Sequence, residues 1–315
     1  MRIAFVDSVH PLLAERLEQA GHTCTALHHL ADAALVEAMG AVEGIVVRSL
    51  QLPAELLDRA PELRFVARVG AGLENIDREH CTARNILVLN SPEGNRDGVG
   101  EWCVAQTLAL LKHLPRTNEQ VHKGLWLREE NRGYDLFGST VGIIGFGHMG
   151  SAFAEKLQGF GVQVLAHDKY RKGFATDGVV EADLDELLVA CDIISLHLPL
   201  TAETRHYANE AFFKRLGGPS WFINSSRGGV VDTKALLDAT DAGMVKGAAL
   251  DVLEYERPDL GSLDAAIDPA TLRRLLDHPS ILLSPHIAGV THEGKMKMAE
   301  VLAEKILNAF PNGTL

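Results

Sequence analysis

The sequence predicts an α/β chain built on two doubly wound parallel sheets, and three observations carry that prediction. Short β-branched runs alternate with helical patterns almost from end to end. The runs are continuous in their apolar character, as parallel strands covered on both faces require. The series also occurs twice, on either side of one long helical stretch, which implies two successive domains, each with its own sheet.

In the first series Ile3–Asp7, Thr23–Leu27, Gly44–Arg48, Arg64–Val69 and Ile86–Leu89 read as strands. Pro11–Ala20, Leu30–Gly40 and Pro53–Ala60 read as helices between the earlier ones. The long helical stretch runs from about Asp97 to Val121. Beyond it, Val141–Ile144, Gln163–His167, Asp192–Leu196, Trp221–Asn224, Ala248–Leu250 and Ile281–Leu283 form the second series. Asp183 and Asp232 stand where helix N-caps belong, with Glu186 at the capping-box distance from Asp183. The last segment, Thr291–Phe310, is helical by pattern, with Met298, Val301, Leu302, Ile306 and Phe310 recurring on one face. Following the last strand of the second series, it is placed to cross back onto the first domain.

The 315 residues leave room for two domains of ordinary size, and 46% hydrophobic with 23% charged residues excludes wholesale disorder. A formal net charge of −12 argues against a nucleic-acid partner, which needs clustered Lys and Arg, although a few local Arg residues suffice for an anionic substrate. The negative charge reads as a solvated surface. Cys24, Cys81, Cys103 and Cys191 stand alone, without CxxC spacing, so no metal cluster is expected and the thiols read as small core residues in a reducing cytoplasm. No charged opening followed by an apolar stretch appears, and no apolar run approaches the ~18 residues of a membrane span. The expectation is a cytoplasmic protein with no membrane partner.

The strongest local signal is Val141-Gly-Ile-Ile-Gly-Phe-Gly-His-Met-Gly150. Gly145, Gly147 and Gly150 form GxGxxG directly after a strand and at the start of a helix expected over Met149–Gly159. In that setting the first glycine permits the tight turn, the second lets backbone approach a pyrophosphate, and the third allows close helix–strand packing. The helix N-terminus offers free N–H groups to the anion. Asp168 lies eighteen residues past Gly150, at the end of the next strand, where a carboxylate can accept from a ribose 2′-hydroxyl and repel a 2′-phosphate. That favours NAD over NADP, while Lys169, Arg171 and Lys172 keep a phosphate-accommodating alternative open. A lone GxGxxG is often only a turn; strand before, helix after and acid in place make it a dinucleotide site. A Rossmann domain for another nucleoside, such as a methyl donor, is the related alternative.

Three further segments leave apolar strands for polar or Gly-rich sequence: Asn224-Ser-Ser-Arg-Gly-Gly229, Leu250-Asp-Val-Leu-Glu-Tyr-Glu256 and Ser284-Pro-His-Ile-Ala-Gly289. Ligands collect at such strand ends in open α/β sheets. Together the segments supply Arg227, Glu256 and His286. Hydride transfer to a 2-keto acid needs a proton donor for the carbonyl oxygen, which suits His286, and a cation for the carboxylate, which suits the planar fork of Arg227. Glu256 could hold the imidazole and stabilise it when charged. Taken singly, a His at a strand end, a Glu before Arg257-Pro258 and an Arg before Gly-Gly are ordinary packing, loop and turn residues. Their joint placement behind a dinucleotide fold is what points to chemistry.

The whole chain resembles the D-isomer-specific 2-hydroxyacid dehydrogenase family, which includes phosphoglycerate dehydrogenases and glyoxylate/hydroxypyruvate reductases. Val47-Arg-Ser49 resembles the family's first substrate-loop segment, and Val69-Gly-Ala-Gly-Leu-Glu-Asn-Ile-Asp77 the loop whose N–H groups hold the substrate carboxylate. Asn95 and Glu101 match the pattern at the start of the long helix. The resemblance implies a Rossmann NAD-binding domain, 93–284, inserted in a flavodoxin-like substrate domain made of 1–92 and 285–315. It implies that Arg227, Glu256 and His286 are the catalytic trio, and that Arg48, Ser49, Gly70, Ala71, Gly72 and Asn95 bind substrate. It carries over cofactor contacts to His148 and Met149 near the pyrophosphate, to Asp168 on the adenosine ribose, and to His197, Pro199 and Thr204 beside the cofactor. Ser225, Ser226 and Asp251 fall on the nicotinamide side, Asp251 suited to the carboxamide, with Gly289 among the cofactor contacts.

A homodimer joined through the nucleotide domain and the long helix is implied as well. In three places the chain departs from the family pattern. Arg257 stands where Pro usually follows the catalytic Glu, although the five-residue spacing from Asp251 still selects Glu256 over Glu254. Leu50 occupies a position where phosphate-handling relatives can carry a cation, against a phosphorylated substrate. The chain also stops soon after the closing helix, so no appended regulatory domain is expected. The resulting expectation is an oxidoreductase that passes hydride between NAD(H) and a small 2-hydroxy or 2-keto acid, with closure of the two domains excluding water. The alternative is an NAD(H)-sensing interaction protein of corepressor type without significant turnover. Formate- or phosphonate-type oxidation is a further enzymatic possibility.

Overall fold

The continuous apolar runs become strands of two wholly parallel sheets in the computed structural model, which describes residues 1–30, 32–257 and 261–311. The first sheet comprises β1 (Arg2–Phe5), β2 (Thr23–Ala26), β3 (Gly44–Val47), β4 (Phe65–Arg68) and β5 (Leu87–Asn90) in the order β2-β1-β3-β4-β5, the flavodoxin-like arrangement. The second comprises β6 (Thr140–Ile144), β7 (Gln163–His167), β8 (Val179–Glu181), β9 (Ile193–Leu196), β10 (Ser220–Asn224), β11 (Val245–Leu250) and β12 (Ile281–Leu283). Its order is β12-β11-β10-β9-β6-β7-β8. Chain order reverses at β6, which pairs with β7 on one side and β9 on the other; that is the switch point where such sheets open a crevice for ligands.

The described residues group into two compact units. One takes in Met1–Arg96, Gly261 and the chain from Val290 onward; the other takes in Asp97–Arg257 and Ser262–Gly289. The joins fall a few residues beyond 92 and 284, because the helix Pro92–Leu111 runs unbroken through the first of them.

The core of the first unit explains why its last helix returns to it. Ile3, Phe5, Leu13, Leu17, Val46 and Phe65 are buried with Ala299, Leu302, Ala303 and Ile306 of the helix His292–Ala309. Phe310 stacks on Phe65 with ring centroids 5.2 Å apart. The buried stripe differs from the expected one in using Ala299 and Ala303 in place of Val301, which is half-buried. Small side chains let this helix lie close to its neighbours, a packing choice that a count of large apolar residues misses. In the second unit both faces of the sheet are covered, with Phe153, Val141 and Ile143 in one cluster and Leu187, Phe213 and Leu236 in the other.

Local differences from the sequence reading have identifiable causes. The long helical stretch is two helices, Pro92–Leu111 and Leu114–His122, separated by His113 at φ 53°. Pro115 has no N–H to give the Leu111 carbonyl, which accepts from Tyr134 N–H instead (2.9 Å). Pro53–Ala60 shortens to one turn, Ala54–Leu57, and Leu30–Gly40 becomes Asp32–Ala38 followed by a 3₁₀ turn at Met39–Ala41. Ala31 in that expected helix, and Pro258 after Arg257, lie outside the described residues. The N-caps are as expected: Asp183 accepts from Glu186 N–H and Asp232 from Ala235 N–H. The short edge strand β8 and the helix Arg78–Ala83 were not foreseen.

Candidate active site

The turn between β6 and the helix His148–Lys156 has the stereochemistry its glycines imply. Gly145 sits at φ +94°, where a side chain would also stand 2.5 Å from the His197 carbonyl oxygen. A Cβ on Gly150 would lie 2.1 Å from the Gly145 carbonyl oxygen, so helix and turn can touch only through glycine. Gly147, in contrast, faces open space, with no heavy atom within 4 Å of where its Cβ would be. The helix starts one residue earlier than expected, at His148, and its N-cap Gly147 supplies no side-chain cap, which leaves N–H groups for an anion. His148 is exposed and Met149 half-buried on this first turn.

Asp168, directly after β7, closes the turn from the other side. One carboxylate oxygen accepts from Phe146 N–H (2.9 Å) and the other from Tyr170 and Arg171 N–H (2.9 Å each). Partial burial raises its pKa, but these N–H groups together with the Arg171 cation outweigh it and hold the carboxyl below its ordinary value. The neighbouring cations are all engaged: Lys169 with Glu203, Arg171 with the Phe146 carbonyl, and Lys172 with Glu181 at 3.8 Å.

Beyond β9, His197 donates or accepts through Nε2 to Ser195 Oγ (2.9 Å), while its Nδ1 is buried without a partner among the described residues. Burial depresses its pKa to about 3, so the ring is neutral. Thr204 Oγ1 donates to the Pro199 carbonyl (2.5 Å) and accepts from Thr201 N–H (2.8 Å), which fixes the Pro199–Thr204 loop. An uncapped helix start, an open glycine, a carboxylate directly after β7 and an orphaned imidazole nitrogen on one sheet end together fit a dinucleotide.

Strands β10, β11 and β12 are adjacent and end in register, Asn224 beside Leu250 and Leu250 beside Leu283. The three expected segments therefore leave the same end of the sheet side by side. Buried Asn224 folds the first: its Oδ1 accepts from Ser226 N–H (3.0 Å) and Oγ (2.7 Å), and its Nδ2 donates to the Arg227 carbonyl (3.0 Å). Arg227 Nη1 donates to the Ser226 carbonyl (2.6 Å). Gly228 lets this turn press onto the second segment, since a Cβ there would lie 2.0 Å from the Leu253 carbonyl.

Glu256 is held by Leu253 N–H at Oε1 (2.7 Å), and its Oε2 lies 2.9 Å from His286 Nδ1. A carboxylate only accepts, so Nδ1 carries the proton of this bond and Nε2 is left to exchange a proton with another molecule. Glu254 is committed elsewhere, to His206 and to Thr233 N–H (3.2 Å) and Oγ1 (2.8 Å). Geometry thus selects Glu256, as spacing did.

His286 itself sits at φ 55°, an uncommon conformation for a residue with a side chain. Asp251 imposes it. Its carbonyl accepts from His286 N–H (2.7 Å), and its buried carboxylate accepts from Ser284 Oγ, Ile287 N–H (2.9 Å) and Ala288 N–H (2.7 Å). The residue expected on the nicotinamide carboxamide is also the clamp of the His286 loop, accepting three bonds from its own chain. Ser225 approaches Cys103 Sγ (3.4 Å), and Gly289 is half-buried at the end of the clamped loop.

In the first unit, the expected substrate segments follow β3, β4 and β5. Arg48 is exposed and Ser49 half-buried. Gly70, at φ +143°, is buried and its N–H donates to Ser91 Oγ (3.1 Å). Ser91 closes the turn by donating its own N–H to the Gly70 carbonyl (2.9 Å). Ala71 and Gly72 are half-exposed, with Asn90 Nδ2 holding the Ala71 carbonyl (2.6 Å). Asn95 Oδ1 is buried and has no partner among the described residues.

Sequence reading marked Asn224 and Ser284 only as the polar starts of their segments and counted Asp7 within a strand, without assigning any of the three a part in building the site.

A switch-point glycine turn with an adjacent Arg, Glu–His trio defines a dinucleotide-dependent oxidoreductase. The family signature described as "D-isomer specific 2-hydroxyacid dehydrogenase, NAD binding domain" matches residues 104–288. Glyoxylate reductase of Thermococcus litoralis is 36% identical over 270 residues, 83% of this chain and 78% of that protein. D-3-phosphoglycerate dehydrogenase of Bacillus subtilis is 33% identical over 268 residues, 84% of this chain but 49% of that protein, so the chain spans about half its length. Among solved structures, D-lactate dehydrogenase of Aquifex aeolicus complexed with NAD and lactic acid is similar with a TM-score of 0.81 at 29% identity, over 99% of this chain and 96% of that one. The chain belongs to the D-isomer specific 2-hydroxyacid dehydrogenase family and carries its NAD-binding domain.

Proposed function

We propose that this chain reduces a small 2-keto acid to the D-2-hydroxy acid and runs the reverse reaction, with Arg227, Glu256 and His286 as the catalytic residues. The observation that carries this reading is the Glu256–His286 pair at 2.9 Å on strand ends flanking the Arg227 turn. NADH, when bound, supplies the hydride for the keto carbon. His286 Nε2 gives a proton to the carbonyl oxygen, and Glu256 keeps the ring oriented and stabilises its charge. Arg227 holds the substrate carboxylate through its planar fork and draws charge from the carbonyl as it becomes an alkoxide. In the reverse direction the neutral imidazole takes the hydroxyl proton.

Arg48, Ser49, Ala71, Gly72 and Asn95 are assigned to the substrate, whose unphosphorylated character is suggested by Leu50. Gly145, Gly147, His148, Met149, Gly150, Asp168, His197, Pro199, Thr204, Ser225, Ser226, Asp251 and Gly289 are assigned to the cofactor. A preference for NAD over NADP is supported by the carboxylate of Asp168 directly after β7 and by the pairing of Lys169, Arg171 and Lys172 within the protein.

Large apolar side chains are exposed within one stretch, among them Leu114, Val121, Trp126 at 77% and Phe137 at 80%, which supports a homodimer through this surface. The four cysteines are unpaired, which fits a reducing cytoplasm. No described helix is long and apolar enough to cross a membrane.

The test is NADH oxidation against glyoxylate, hydroxypyruvate, phosphohydroxypyruvate, pyruvate and longer 2-keto acids. Turnover on the unphosphorylated acids supports the reading. No turnover with NADH binding intact would refute it.

A further inference from the structure

We propose that Asp7 is a positioning residue for the substrate, acting through the backbone of Arg48–Leu50; the inference rests on the assignment of that segment to the 2-keto acid. Asp7 follows β1, the neighbour of β3, at the same end of the sheet. One of its oxygens, Oδ2, accepts three successive N–H groups, from Arg48 (2.7 Å), Ser49 (2.8 Å) and Leu50 (3.0 Å). Successive N–H groups converging on one point form an anion-binding concavity. Here the protein fills it with its own carboxylate.

The carbonyls of the same segment are also fixed. Arg48 carbonyl accepts from Arg68 Nε (3.1 Å) and Leu50 carbonyl from Asn75 Nδ2 (2.8 Å).

Two consequences follow. The N–H groups of Arg48–Leu50 are not donors to a substrate anion, so recognition by this segment passes through the side chains of Arg48 and Ser49. Those side chains are aimed by a backbone whose three N–H groups depend on a single carboxylate. Charge-assisted bonds of this kind are about twice as strong as neutral ones. Removing the anion leaves three converging dipoles without a partner, and the segment must turn to find others. Asp7 therefore acts on substrate binding and not on hydride transfer or cofactor affinity.

The experiment compares Asp7→Ala and Asp7→Asn with Arg48→Ala and Ser49→Ala in steady-state kinetics on the best 2-keto acid, with NADH titrations and thermal melts alongside. Asp7→Ala is expected to raise KM about tenfold, the loss of roughly one strong hydrogen bond, with kcat and NADH affinity little changed. Asp7→Asn keeps an acceptor oxygen of the same shape and is expected to fall between wild type and Asp7→Ala. An unchanged KM in Asp7→Ala, while Arg48→Ala or Ser49→Ala raises it, overturns the role of Asp7 alone. If neither Arg48→Ala nor Ser49→Ala changes KM, the assignment of the segment fails and the proposal with it. Should Asp7→Ala not fold, Asp7→Asn decides: a KM equal to wild type overturns the proposal.

Discussion

Replacing Gly147 by alanine separates what the glycine turn does for the cofactor from what it does for the fold. Gly147 has φ −85° and ψ −153°, extended backbone open to any residue, and a methyl there meets no heavy atom within 4 Å. Alanine is a poorer N-cap than glycine by up to ~1 kcal/mol. The stiffer unfolded chain returns about 0.4–1 kcal/mol. Stability should therefore change by less than about 1 kcal/mol, a Tm shift of about 2–4 °C at most for a unit of this size. On the proposed reading, the open space is the path by which backbone N–H groups reach the pyrophosphate. Losing one hydrogen bond to a charged group costs about 1.5–3 kcal/mol, or roughly 10- to 100-fold in Kd.

NADH titration by fluorescence, with melting curves on the same samples, reads both quantities. Gly150→Ala is the companion variant: its methyl would stand 2.1 Å from the Gly145 carbonyl, so Tm and NADH affinity should fall together. A well-folded Gly147→Ala protein with unchanged NADH Kd would refute the placement of the pyrophosphate at this turn.

His286→Ala should lower kcat by about 10²- to 10⁴-fold, the usual worth of a general acid, while NADH titration shows binding intact. Asp168→Ala should weaken NADH and narrow the gap to NADPH, read as the ratio of their KM values; an unchanged ratio would remove Asp168 from ribose recognition. His197 gives a pH prediction. Its pKa is about 3 in the fold against an ordinary 6.5, so between those values the unfolded chain holds the extra proton. Stability from its burial is then fully present above the ordinary value and lost as pH falls toward the lower one. Melting temperatures of His197→Asn should decline less steeply across that window than those of the wild type, and parallel curves would contradict the burial.

The two sheets were legible because buried parallel strands are predominantly apolar, a pattern that Gly44–Val47 and Val141–Ile144 display plainly and Ile193–Leu196 keeps despite Ser195. Asp183 and Asp232 were legible as caps because capping is local chemistry. What stayed hidden depends on contacts distant in the chain. The break at His113 has no glycine to announce it and follows from Pro115 starving the Leu111 carbonyl of its donor. The alanine stripe of the last helix is set by how closely it approaches Leu13 and Leu17.

In the site, Arg227, Glu256 and His286 could be chosen by residue type and spacing, and in the folded chain Glu256 lies on His286 whereas Glu254 lies on His206. Gly70 shows the opposite case: its loop pattern was visible, but not that Ser91, 21 residues on, takes its N–H. Asp251 was marked for the cofactor by resemblance, whereas the bonds from Ser284, Ile287 and Ala288 that turn it into a clamp for His286 belong to the folded chain alone.

The most direct measurement is transfer of deuterium from 4,4-dideuterated NADH, in a single turnover, to whichever of pyruvate, hydroxypyruvate and longer 2-keto acids turns over fastest, with chiral analysis of the product. The account requires deuterium at C2 of the D-2-hydroxy acid and a transfer rate lowered by about 10²- to 10⁴-fold in His286→Ala. Deuterium absent from C2, product of L configuration, or transfer undiminished without the imidazole would contradict it.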